Sequence, residues 1–187
     1  MRKDFGKKTW LFPMPVLIIG TYDENGKANA MNAAWGGIYD TNQITISLAD
    51  HVSTRNIRKN KAFTVSLGTL DTLEASDYVG IVSQNKQPNK IEKAGLHPFK
   101  SKNVNAPLFE EYPVTLECEL VSLDGDIGDG GTLIGNIINV SVDEKVLTNN
   151  KVDLKKLKPI AFDAFNNKYV LCDEVVGNAF VDGLKLK

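Results

Sequence analysis

The sequence predicts a mainly β protein with inserted helices, its strands forming a closed or partly closed antiparallel barrel. Three observations carry this expectation. Residues 16–22 are a near-continuous apolar run followed by a turn containing Asn25-Gly26, residues 114–120 alternate apolar and polar, and only a few helical stretches interrupt the strands. A doubly wound parallel sheet is disfavoured, because hairpins rather than strand–helix–strand crossovers link the strands.

Each element has a local cause. The run 16–22 suits a strand buried on both faces. In Asp23-Glu24-Asn25-Gly26-Lys27, Asn-Gly is a hairpin signal because both residues accept positive φ. Residues 28–35 form the returning strand, unusually rich in small side chains, and Gly36 and Gly37 permit a bend or bulge. A turn at residues 40–43 leads into the alternating strand 44–48. Residues 53–60 open with Ser53 and Thr54 and close with Arg58 and Lys59, the order a short helix favours at its two ends. Residues 62–67 return to a strand. Residues 69–82 and 89–94 read as helices, the second stopped by Gly95, and residues 98–113 as an ordered loop. A Gly/Asp-rich hairpin loop at 124–131 joins the strand 114–120 to a long strand over 133–142. A helix at 153–158 and a short strand at 169–172 complete the pattern. No repeat or linker divides the chain, so residues 1–187 are expected to form a single domain.

Composition excludes several classes of function. The 187 residues are 42% hydrophobic and 24% charged, which is ordinary globular usage rather than disorder. With 22 Lys and Arg against 23 Asp and Glu, the net charge of −1 argues against a nucleic-acid partner. No apolar run approaches the roughly 20 residues of a membrane span. Arg2, Lys3, Lys7 and Lys8 ahead of residues 10–20 imitate a signal peptide. Pro13 and Pro15 interrupt that stretch, however, and Asp23-Glu24-Asn25 follows where small residues belong, so a cytoplasmic location is expected. Cys118 and Cys172 form neither a CxxC pair nor a zinc set with His51 and His97; both thiols read as small hydrophobes and no metal is expected.

Familiar chemistries are also missing. The carboxylates of residues 124–131 approach calcium-loop spacing, but the twelfth position from Asp124 is Gly135, where a bidentate Glu belongs. There is no GxGxxG, no GxxxxGK[ST] and no GxSxG. Two features remain. The helix starting near Ser53 and Thr54 offers unpaired backbone N–H groups, two hydroxyls and nearby Arg55 or Arg58, an anion site in waiting; the alternative is that Ser53 or Thr54 simply caps the helix. The strand Ala28-Asn29-Ala30-Met31-Asn32-Ala33-Ala34-Trp35 lets backbone approach a flat ligand, with Asn29 and Asn32 facing its polar edge; the alternative is close packing of strand on helix.

An ordered set of segments extends this pairing: Pro15-Val16, Gly26-Lys27-Ala28-Asn29-Ala30-Met31 through Ala34-Trp35, Ile46-Ser47-Leu48, Ser53-Thr54-Arg55-Asn56-Ile57 and Phe63-Thr64-Val65-Ser66. Asn89-Lys90-Ile91, Ala94-Gly95-Leu96, Ala106-Pro107-Leu108, Leu116-Glu117-Cys118 and Gly177-Asn178-Ala179-Phe180 continue it. Over almost its whole length the chain thereby resembles the flavin reductase-like family, which has an FMN-binding split-barrel fold and includes the flavoredoxins. The resemblance implies non-covalent FMN in a homodimer, with NAD(P)H as cosubstrate passing a hydride to flavin, or a flavoredoxin-like electron carrier reduced by a redox protein partner, or a flavin-binding module without catalysis. Carried over to this sequence, it implies Asn29, Ala30, Met31, Asn32 and Trp35 around the ring, Ser47, Leu48 and Ala49 continuing that wall, Ser53, Thr54 and Asn56 at the phosphate, and Lys90 as a further ligand, its alternative being a solvated helix lysine. No catalytic side chain is assigned, because the flavin carries the hydride chemistry. Residues 133–137 and 64–66 depart from the family pattern, which leaves the second substrate open.

Overall fold

Alternation along the strands sorts the side chains into two cores, and the elements that carry them fix where a ligand can enter. In the computed structural model, which describes residues 1–125 and 130–187, the first five strands are β1 (Met14–Pro15), β2 (Leu17–Tyr22), β3 (Ala28–Ala33), β4 (Gly36–Asp40) and β5 (Gln43–Leu48). Helix α1 (Val52–Asn60) and β6 (Ala62–Leu67) follow, then a 3-10 turn (Leu70–Thr72), α2 (Leu73–Ile81) and α3 (Lys90–Lys93). Next come β7 (Pro98–Lys100), β8 (Pro107–Phe109), β9 (Val114–Leu123), β10 (Gly131–Val142), β11 (Leu147–Thr148) and β12 (Lys151–Val152). Helix α4 (Leu154–Leu157), β13 (Ile160–Asp163) and β14 (Lys168–Leu171) follow, and a 3-10 turn (Asp182–Leu186) closes the order.

The principal sheet has seven antiparallel strands in the order β3-β2-β6-β9-β10-β5-β4. Its two edge strands, β3 and β4, are joined by Ala34 and Trp35 alone. Three Cα steps span at most about 11 Å, so the edges approach one another and the sheet curls into a split barrel. Leu17 and Ile19 of β2 face its interior with Ile46, Phe63, Val65 and Leu133. Val16 and Ile18 face outward, onto a second core with Ala30, Val79, Ile91 and Phe109. The continuous apolar run thus serves two cores at once, as its pattern predicts. Ile57 of α1 inserts into the barrel core and plugs one end. A smaller sheet, β1-β13-β14, is separate in its hydrogen bonding, and Ile160 of β13 packs into the outer core with Val16 and Ile18.

Several local expectations are corrected. At the first hairpin only Gly26 has positive φ, at 75°. The turn is held instead by Asp23 Oδ1, which accepts from the Asn25 and Lys27 amides at 2.8 and 2.9 Å. The small-residue strand ends at Ala33, and the two glycines begin a strand of their own, β4. The expected loop over 98–113 contains the paired strands β7 and β8. It is fastened by Glu117, 2% exposed, whose carboxylate accepts from Ser101 Oγ, from Asn103 Nδ2 at 3.1 Å and from Asn139 Nδ2 at 2.6 Å. Burial pushes that carboxyl up, but these donors outweigh it and hold it below the usual range. The centre of the expected 124–131 hairpin loop, residues 126–129, lies outside the described residues. Cys118 is fully buried and burial raises its thiol to about 12, so it behaves as a hydrophobe, whereas Cys172 is only partly buried. Among the described residues no helix is long and apolar enough to cross a membrane.

Candidate functional site

The start of α1 sits over the β2–β3 end of the barrel through a polar seam. Asn29 Nδ2 donates to Ser53 Oγ at 3.0 Å, and Asn56 Nδ2 donates to Thr21 Oγ1 at 3.1 Å. All four side chains are at least nine-tenths buried. Four polar residues can be hidden there because the hydrogen bonds between strand and helix offset their desolvation. The first-turn amides of α1 have no carbonyl one turn earlier to bond, and that turn carries no acidic side chain. Asn29 Oδ1 is buried and, among the described residues, has no hydrogen-bond partner.

The end of α2 forms the opposite wall. A Cβ on Gly80 would stand 3.0 Å from Asn32 Cβ, so glycine lets the helix lie on β3. Asn32 Nδ2 fastens the contact by donating to Ser76 O at 3.0 Å. Lys90, 3% exposed, donates through Nζ to Val79 O at 3.1 Å and Val82 O at 2.7 Å. Its ammonium therefore caps the negative end of α2, which overturns the reading as a solvated helix lysine. Burial lowers its pKa from 10.5 to about 8. Between the walls lies a cavity of about 300 Å³ lined by Asn29, Met31, Asn32, Ser53 and Lys90 among others.

Five of the twelve sequence-derived candidates therefore meet in one cleft, and the others are placed differently. Ala30 is fully buried in the outer core, and Leu48, 6% exposed, lies in the barrel core, because alternation turns Ala30 onto the outer face of the sheet and Leu48 into the barrel. Thr54 Oγ1 donates to His51 O at 2.6 Å and accepts from His51 N at 2.8 Å, so its hydroxyl is spent on capping the helix. Asn56 borders a neighbouring concavity of about 460 Å³ that also shows Lys27, Arg55 and Lys59. Ser47 and Ala49 are exposed. Trp35, 55% exposed, lines a separate hollow with Trp10 and Met14.

Of the two arginines, Arg58 is committed to Leu123 O at 3.0 Å and Gly125 O at 2.7 Å, away from the cleft. Arg55 lines the cleft mouth, paired with Asp50, whose carboxyl it holds below the usual range against the opposing effect of burial. Sequence reasoning missed Asp50, His51 and Gln84, all of which line the cavity. Asp50 and His51 adjoin the helix start and were within reach of the capping argument. Gln84 sits in a polar interhelical stretch and gives no local signal.

Comparison with known proteins is consistent with this geometry. A family model described as a flavin reductase like domain matches residues 9–160. Flavoredoxin of Desulfovibrio vulgaris (Miyazaki F) is similar with a TM-score of 0.90 and 32% identity, covering 98% of this chain and 100% of that one. Flavoredoxin from Methanosarcina acetivorans gives a TM-score of 0.88 and 24% identity over 100% of both chains. A protein of Pyrococcus abyssi, itself uncharacterised, is 27% identical over 150 residues, 78% of this chain and 83% of its own.

Proposed function

The chain belongs to the flavin reductase-like family, and from that premise we propose that it binds FMN non-covalently in the cleft between the start of α1 and the end of α2, and serves as an NAD(P)H-dependent oxidoreductase of flavin reductase type. The observation that carries this reading is Asn29 Oδ1, buried beside the first turn of α1 and, among the described residues, without a partner. A buried acceptor left unpaired costs about 1–3 kcal/mol, which a ligand donor relieves. Lys90 adds a buried ammonium that, among the described residues, bonds only carbonyls.

When bound, FMN supplies the hydride and electron chemistry. The chain binds and orients it. Asn29, Met31 and Asn32 flank the ring; Ser53, the first-turn amides and Lys90 hold the phosphate, with Arg55 at the mouth. Ala30, Leu48 and Thr54 contribute through backbone alone. Trp35 lies near Ile38 and Tyr39 on the β4 edge, exposed by 55%, 69% and 59%; we assign this apolar edge to contact with a second copy, which extends the wall at Ser47 and Ala49. Light scattering is expected to give twice the chain mass, and a monomer at micromolar concentration contradicts that assignment.

FMN titration with thermal unfolding tests the reading. A ligand at one hundred times its Kd that binds only the native state raises stability by about 2.7 kcal/mol; an unmoved transition contradicts the proposal. The second reading, an electron carrier, is favoured by the flavoredoxin likeness at 32% identity. Anaerobic NADH or NADPH separates the two: rapid loss of flavin absorbance supports the reductase, and an unchanged spectrum supports the carrier. Thr54→Ala is expected to cost about 0.5–2 kcal/mol of stability as a lost cap while FMN affinity stays within about twofold. A larger affinity loss, read by fluorescence titration, would place its hydroxyl on the ligand after all.

A further inference from the structure

Residues 173–187 leave the edge strand β14 and run into the 3-10 turn at Asp182–Leu186. Their apolar side chains have little to pack on: Phe180 is wholly exposed, and Val175, Val176, Val181, Leu184 and Leu186 are each more than half exposed. Among the described residues the hydrogen bonds of this arm run within it, as when Asp182 accepts from the Asn178 amide at 2.8 Å. Phe180 also holds a φ of 64°, in the left-handed region that a bulky side chain avoids unless its surroundings impose it. At full exposure its own chain imposes nothing. A row of apolar side chains standing in water marks contact with another molecule.

The hollow beside β1 is a matching surface. It has a volume of about 500 Å³ and is lined by Lys8, Trp10, Leu11, Pro13, Met14 and Trp35 among others. Trp10 is fixed edge-on to Phe165 in the β13–β14 turn, with ring centroids 5.7 Å apart. The charges are complementary. Residues 1–12 carry Arg2, Lys3, Lys7 and Lys8 against Asp4, whereas residues 173–182 carry Asp173, Glu174 and Asp182 and no basic side chain. Arm and hollow also belong to one sheet: Met14 and Pro15 of β1 line the hollow, and the arm leaves β14 at the sheet's other edge. Within a single chain the arm nevertheless leaves the hollow open.

We propose that residues 173–182 are an exchanged arm: in a dimer each copy lays this segment into the hollow of Trp10 and Trp35 on the other. Phe180 is its apolar anchor, and Asp173 and Glu174 face the basic rim. The assignment rests on the second copy already placed against the β4 edge, since Trp35 borders both surfaces, and it does not depend on the flavin. Because the arm and the hollow lie on one sheet, a two-fold axis lets both exchanges occur together and closes the assembly at two copies.

Trp10 and Trp35 are the only tryptophans of the chain, so tryptophan emission reads the hollow while sedimentation of the full chain reads the mass. The unaltered protein is expected to sediment at twice the chain mass with blue-shifted emission, and dilution is expected to shift the emission to the red as the mass halves. Phe180→Ser, at a position wholly exposed in the single chain, is expected to raise the dissociation constant at least about tenfold. Where that variant is still dimeric, its emission is expected to stay to the red of the parent's. Lys8→Glu turns the rim against Asp173 and Glu174 and is expected to weaken association at least about threefold; unchanged association overturns that pairing. A Phe180→Ser protein with the parent's affinity and emission overturns the exchange while leaving the contact at the β4 edge intact. Weaker association with unaltered emission overturns the seat at Trp10 and Trp35. Emission that stays blue in the monomer shows the arm folded onto its own chain and overturns the exchange as well. A monomer at micromolar concentration overturns both assignments.

Discussion

Replacing Lys90 by Met is expected to weaken FMN binding by about 1.5–3 kcal/mol, roughly ten- to a hundredfold, because a charge-assisted bond to the phosphate is lost. Riboflavin, which has no phosphate, is expected to lose far less, so the ratio of the two affinities is the readout. The pH dependence follows from the same group. Burial lowers the pKa of Lys90 to about 8 from 10.5. Between those values the unfolded chain holds the proton and the folded apoprotein does not, so the stability of the apoprotein rises with pH across that window. The full effect is on the order of 3 kcal/mol. FMN binding has the opposite slope. An anion beside the ammonium favours the protonated form, so FMN affinity falls as pH rises above about 8, with proton uptake on binding. Calorimetry in buffers of different ionisation enthalpy measures that uptake. Flat affinity from pH 7 to 10, or the same slope for riboflavin, contradicts a role for Lys90 at the phosphate.

Phe63→Ala is expected to cost about 3–5 kcal/mol of stability. The ring is fully buried in the barrel core. It also fills the space that a side chain on Gly135 would occupy: a Cβ there would stand 2.4 Å from Phe63 Cζ and 2.8 Å from Cε1. Gly135→Ala alone is therefore overpacked and is expected to cost about 1–3 kcal/mol. The double variant is expected to be more stable than the sum of the two losses, because the added methyl enters the vacated volume. Urea unfolding of the four proteins measures the coupling, and strict additivity contradicts this contact. The consequence reaches the cleft, since Ile57 of α1 shares the same core. A loosened core frees the helix start, and Phe63→Ala is expected to reduce FMN affinity without touching the ligand.

How much of this was legible in the sequence depends on whether the cause was local. The run after Val16 and the alternation in 114–120 fix burial by their own periodicity, and β2 and β9 follow them. The polarity of residues 53–60 likewise marks α1. What periodicity does not reveal is which partner a residue finds. Ala30 belongs to a run of small side chains that suits a flat ligand, yet its face of β3 is covered by α2, so the smallness serves packing. Lys90 carries no local sign of burial; the carbonyls that accept from it come from the end of another helix. Gln84 is invisible for the same reason. Periodicity does not reveal the pairing of β7 with β8 either, because three-residue strands are too short to show a period. The capping alternative named for Thr54 is the one its hydrogen bonds favour, and the partner of Ser53 is Asn29 of the small-residue strand, so the two features singled out in the sequence meet in one contact.

The location of the ligand is the claim on which the remainder rests, and amide chemical shifts read it residue by residue. Adding FMN to the isotopically labelled protein is expected to move the amides of Asn29, Ser53, Arg55, Gly80, Gln84 and Lys90 together and in proportion to occupancy. Shifts confined to the hollow of Trp10, Met14 and Trp35, with those six amides unmoved at saturation, would contradict the account.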